Sequence, residues 1–107
     1  KGEVAEAQAT LSEARARYEQ ARDAAEVDRS VAIARLAEAE AALAASIGTD
    51  TQAARAYAIA EVRFAEGLAT QLELAQTRVD LETARAYRVQ ATRDVALARL
   101  TLALLND

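Results

Sequence analysis

Glu66-Gly67-Leu68-Ala69-Thr70-Gln71-Leu72-Glu73 decides the fold of this chain. The residues before it, ending at Phe64, are rich in Ala, Glu, Arg, Gln and Leu, all good helix formers. Gly67 then supplies the residue that most readily adopts the left-handed conformation that ends a helix. Thr70 can cap a new helix with its hydroxyl, and Glu73 stands three positions later, so Thr70-Gln71-Leu72-Glu73 is a capping box. Stop, cap and start agree on one site. The sequence therefore predicts an all-α chain forming a long antiparallel helical hairpin or coiled coil: a helix over about 2–66, a turn at 67–70 and a helix over about 71–106.

Ile47-Gly48-Thr49-Asp50-Thr51-Gln52 carries the same punctuation. Taken alone, it predicts a break near 48–51 and three helices. The heptad phase points the other way. Every seventh residue from Val4 gives Val4, Leu11, Tyr18, Ala25, Ala32, Ala39, Ser46, Ala53 and Ala60, with no charge among them. A neighbouring row, Leu36, Leu43, Asp50, Tyr57 and Phe64, straddles Gly48 with Asp50 as its one charged member. A loop would normally reset the phase, so the unbroken rows favour one helix, weakened at Gly48 by about 1 kcal/mol relative to Ala.

The second helix carries two rows. One is Leu74, Thr77, Leu81, Ala84, Arg88, Ala91, Val95, Ala98, Leu102 and Leu105; the other is Leu72, Ala75, Val79, Glu82, Ala86, Val89, Arg93, Ala96, Leu100 and Ala103. They are two residues apart, about 200° around the helix, and so lie on nearly opposite faces. A simple hairpin needs one such row; two imply a neighbour on each side, as for a stave in a wall. The competing reading is that abundant Ala makes spurious rows. Lengths add to this. At 1.5 Å per residue the first helix spans ~98 Å and the second ~52 Å. Folded back at Gly67, the second reaches only to about Val31, and nothing in the chain covers the apolar positions from Val4 to Asp28.

Composition bounds the chemistry. The chain has 107 residues, 52% of them apolar, but roughly 30 are Ala and only 4% are aromatic. Methyl groups dominate, and large side chains are too scarce for a layered core. There is no Cys, His, Trp, Met or Pro. That removes thiol chemistry, disulfides, zinc sites and the usual general base, and with no Gly-rich phosphate loop the sequence predicts neither an enzyme nor a cofactor. Glu38 and Glu40 point to different sides of a helix and make no acid/base pair. A net charge of -4 argues against nucleic acid as a partner. No apolar run approaches ~18 residues, so the segment itself is not expected to span a membrane. The chain starts without Met and reads as an excised or processed piece.

Ala60-Glu61-Val62-Arg63-Phe64-Ala65-Glu66-Gly67-Leu68-Ala69-Thr70-Gln71-Leu72-Glu73-Leu74 resembles the recurrent A-x-x-R-[YF]-x-x-G-L-A-T-x-L-[ED]-[LV] pattern of the TolC-like outer-membrane efflux protein family. The run Lys1-Gly2-Glu3-Val4-Ala5-Glu6-Ala7 is similar to the opening of that family's long periplasmic helix, and Ala98 to Leu105 to its last long helix. The resemblance covers essentially all of residues 1–107. It implies a single helical hairpin segment, from the C-terminal repeat, of a larger channel protein in the Gram-negative cell envelope. Protomers of the family trimerise, and their helices form a periplasmic α-barrel. Their partners are a periplasmic adaptor and an inner-membrane transporter, in tripartite efflux or type I secretion. The segment would be the periplasmic portion of an outer-membrane protein, and Ser46 to Thr51 is more helix-breaking than is usual for the family.

On that resemblance Arg63, Glu66, Gly67, Leu68, Ala69 and Thr70 form an adaptor-docking tip. The bland alternative is a turn that needs Gly and a cap for local reasons. Leu68 is informative because an apolar side chain at a solvated turn suggests a contact, unless it folds back on Phe64 or Leu72. For Arg63 the local expectation is pairing with Glu66 at i+3. Arg88 and Arg93 are expected either to pair with acids of the first helix, such as Asp50 or Glu40, or to line a solvated channel. Asp50 is either a polar residue that sets register or the cap of a break. Two other functions remain open: the coiled-coil hairpin of a periplasmic adaptor, and a freestanding three-helix structural bundle. Adaptor hairpins carry Arg, Leu and Ser at heptad spacing, whereas Arg63 here is followed seven residues later by Thr70.

Overall fold

The computed structural model describes residues 1–106 and contains two helices, α1 (Gly2–Ala65) and α2 (Gln71–Asn106). Among the described residues there is no strand. The two helices fold back on each other into a rod of 98 × 20 × 14 Å. The radius of gyration is 26.8 Å, twice the ~13 Å of a compact chain of this size. The accessible surface is 8462 Å², against about 5800 Å² from the scaling for a folded monomer of this mass. The molecule thus leaves far more surface open than an independent domain does.

The apolar rows become the seam. Ala32, Leu36, Ala39, Leu43, Ser46, Asp50, Ala53, Tyr57 and Ala60 of α1 are buried or half-buried, as are Leu74, Thr77, Leu81, Ala84, Ala91, Val95, Ala98 and Leu102 of α2. The most enclosed side chain is Val95, at 3% exposure. Folding about residues 67–70 sets Leu43 opposite Val95, Tyr57 opposite Leu81, and Ala53 opposite Ala84. Layers with bulk on both sides therefore alternate with layers of methyl groups, where the helices can approach closely.

α1 continues through Gly48, so the chain does not adopt the three-helix arrangement. Ser46, Ile47, Gly48, Thr49, Asp50 and Thr51 together cost about 3–4 kcal/mol of helix propensity relative to Ala. The seam overrides that cost, because α2 runs unbroken past this point. It packs Leu81 and Ala84 on one side of Gly48, and Ala91 and Val95 on the other. A change of phase at Gly48 would strip one of these sets of its partners.

α2 ends opposite the stretch Asp28–Arg35, where Val31, Ala32, Leu97 and Leu105 line an open cleft of about 390 Å³. Beyond it, residues 1–31 of α1 are exposed throughout, including Val4, Leu11, Tyr18 and Val27. The second row of α2 faces away from α1: Leu72 is 77% and Val89 71% exposed, with Val79 and Leu100 also open. Neither described helix is long and apolar enough to cross a membrane.

Candidate functional site

The tip is built from local hydrogen bonds. α1 ends with Glu66 as its cap at φ −88°, ψ 2°. Gly67 follows at φ +74°, the left-handed region that side-chain-bearing residues avoid. The Gly67 N–H donates to the Phe64 carbonyl at 3.0 Å, and the Leu68 N–H to the Arg63 carbonyl at 2.7 Å. These are the paired bonds of a Schellman ending, and they satisfy carbonyls that the helix end would leave orphaned.

Thr70 then opens α2. The Glu73 N–H donates to Thr70 Oγ1 at 3.1 Å, and the Thr70 N–H to the Glu73 carboxylate at 3.2 Å. Both halves of the capping box form. Only Leu68 and Ala69 separate the end of one device from the start of the other, so the reversal is tight.

The predicted tip residues converge at one end of the rod, with one change of partner. Arg63 does not pair with Glu66 among the described residues; its guanidinium donates to the Leu68 carbonyl at 3.1 Å. The reason is the chain reversal. The turn brings the Leu68 carbonyl beside the last turn of α1, and a neutral acceptor fixed by two backbone bonds competes well with a mobile carboxylate. Leu68 itself is 64% exposed and not folded into the seam. A groove of about 330 Å³ runs beside the tip, lined by Ala60, Arg63, Ala69 and Glu73 among others.

Away from the tip, three ion pairs bridge the helices, each with the acid on α1 and the arginine on α2. Arg88 donates to Asp50 at 3.0 Å, and Arg85 approaches the other carboxylate oxygen at 3.9 Å. Arg99 lies 3.8 Å from Glu40. Pairing of Arg88 with Asp50 is as expected. Arg93 makes no ion pair among the described residues, because its row faces away from α1; Arg99 takes Glu40 instead. Arg85 was missed because it lies outside both rows, although its position three residues before Arg88 places it on the same side of α2.

The sequence profile of the outer membrane efflux protein family matches residues 1–106. The chain belongs to this family. No curated protein and no solved structure matches it significantly. Outer membrane efflux proteins are transport channels rather than enzymes, and the match spans α1, the turn and α2. It therefore favours the channel reading over the adaptor hairpin.

Proposed function

We propose that this chain is the periplasmic helical hairpin from the C-terminal repeat of an outer-membrane efflux or secretion channel, a single segment (residues 1–107) of a larger protein. The family match across the whole hairpin carries this reading. The open rows support it. A rod whose α2 exposes Leu72, Val79, Val89 and Leu100 on one face, and whose first 27 residues have no helix opposite them among the described residues, suits a stave in a wall of helices. In the parent protein those faces would pack on neighbouring helices of a homotrimeric barrel, leaving a water-filled duct for cargo.

The tip of Arg63, Glu66, Gly67, Leu68, Ala69 and Thr70 would dock a periplasmic adaptor, which links the channel to an inner-membrane transporter. Its rigid backbone, exposed Leu68 and adjoining groove suit such a contact. The wall would act passively, with the tip helices shifting as the adaptor engages. Analytical ultracentrifugation of the full-length parent in detergent tests the assembly: a trimer is expected, and a strict monomer overturns the reading. A photo-crosslinker at position 68 of that parent tests the tip. Capture of the adaptor is expected, and a crosslink only within the trimer would refute docking there.

A further inference from the structure

Within the hairpin, neither backbone conformation nor packing calls for a glycine at position 48. Gly67 is the one glycine with positive φ among the described residues, so Gly48 is not there to reach the left-handed region. A Cβ built on Gly48 would meet nothing within 4 Å, so it does not serve close packing within the hairpin either. Around it stand weak helix formers. Ser46, Thr49 and Thr51 each turn their hydroxyl back onto a carbonyl of the preceding turn, at 2.8, 3.1 and 3.0 Å. Such bonds compete with the helical ladder and tend to bend it.

The same residues are a complete set of parts for a break. Gly48 can end a helix, Thr49 can cap the next one, and Gln52 stands at the third position of a capping box. The stretch of α2 lying opposite, residues 86–92, has no glycine, although Thr92 makes the same back-bond, to the Arg88 carbonyl at 2.9 Å. α1, with its glycine, is the weaker of the two helices here.

We infer that Ser46 to Gln52 is a latent hinge in α1, held shut by the apolar seam together with the clamp of Asp50 on Arg85 and Arg88. The Asp50 side chain is 13% exposed and its two oxygens face the two guanidiniums. While bound there, Asp50 tethers the weak segment to a helix without a glycine. Released, the segment can break at Gly48. Residues 2–45 then swing from the C-terminal half of α2, while the tip half stays closed on Leu81 and Ala84. The cleft at Val31, Ala32, Leu97 and Leu105 lies on the side that would open. The inference concerns the hairpin alone and stands or falls independently of the channel reading.

Amide hydrogen exchange on the full chain tests it, comparing wild type, Asp50→Asn, Arg85→Gln/Arg88→Gln, and Asp50→Asn combined with Gly48→Ala. Losing the clamp is expected to speed exchange at amides 48–52 by about tenfold or more, the effect of one charge-assisted bond. Amides 56–62 and 78–84 should stay close to wild type. Adding Gly48→Ala to Asp50→Asn should restore protection, since it removes the break while leaving the clamp broken. A uniform rise along both helices, no change at 48–52, or no rescue by Gly48→Ala would each overturn the hinge. If Asp50→Asn does not fold, the double arginine variant, with and without Gly48→Ala, decides by the same criteria.

Discussion

Two short stretches of this chain use the same vocabulary with opposite results. At Gly67 a glycine, a threonine cap and an acid three residues on produce a chain reversal with both Schellman bonds and both capping-box bonds in place. At Gly48 a glycine, Thr49 and Gln52 at the same cap-to-third-position spacing leave the helix unbroken. Two differences account for this. Leu68 and Ala69 lie between stop and cap at the tip and give the chain room to turn, whereas Thr49 follows Gly48 directly. More importantly, α2 splints Gly48 from both sides, while nothing spans Gly67. Local signals propose a break, and the partner helix decides whether it happens.

Substitution at the tip glycine should have the largest effect. Gly67→Ala places a Cβ in the left-handed region and should destabilise the hairpin by about 1–2 kcal/mol, read as a lower midpoint in urea followed by circular dichroism. A neutral result would mean the turn can change type and is less fixed than the Schellman bonds imply. Next is Thr70→Ala, which deletes the cap of α2 and should cost about 1 kcal/mol in the same measurement. Thr49→Ala should cost far less, since Thr49 caps nothing in the closed form.

Gly48→Ala should move stability the other way, raising it by about 0.5–1 kcal/mol. There is open space for the methyl group, so an increase in the midpoint is expected, and a decrease would show that Gly48 has a role in the closed helix. The smallest effect belongs to Arg63→Ala. Its bond to the Leu68 carbonyl is exposed, and its loss should cost about 0.5 kcal/mol. That variant should leave the midpoint nearly unchanged while speeding amide exchange at residues 67–69.

Much of this architecture is legible in the residues because helix punctuation and heptad spacing are local. The expected helices of about 2–66 and 71–106 correspond to Gly2–Ala65 and Gln71–Asn106. The two α1 rows from Ala32 to Ala60, and the first α2 row from Leu74 to Leu102 apart from Arg88, form the observed seam; Val4 to Ala25, Phe64 and Leu105 stay open. The site was less legible. Arg63 turned to the Leu68 carbonyl, an acceptor that exists nearby only once the chain has reversed. Arg99, which the sequence had not singled out, meets Glu40 in place of Arg93, since pairing across helices depends on which flank of α2 faces α1. Row membership alone does not record that.

By itself the sequence determined that the chain is helical, where it turns, and which faces are apolar. Each of these follows from propensity, capping and a period of 3.6 residues acting over a few neighbours. The tertiary structure alone decided that Gly48 stays inside a helix, that Asp50 is clamped rather than capping a new one, and which arginine meets which acid. These outcomes depend on residues 35 to 59 positions apart in the chain, brought together only when α2 lies along α1.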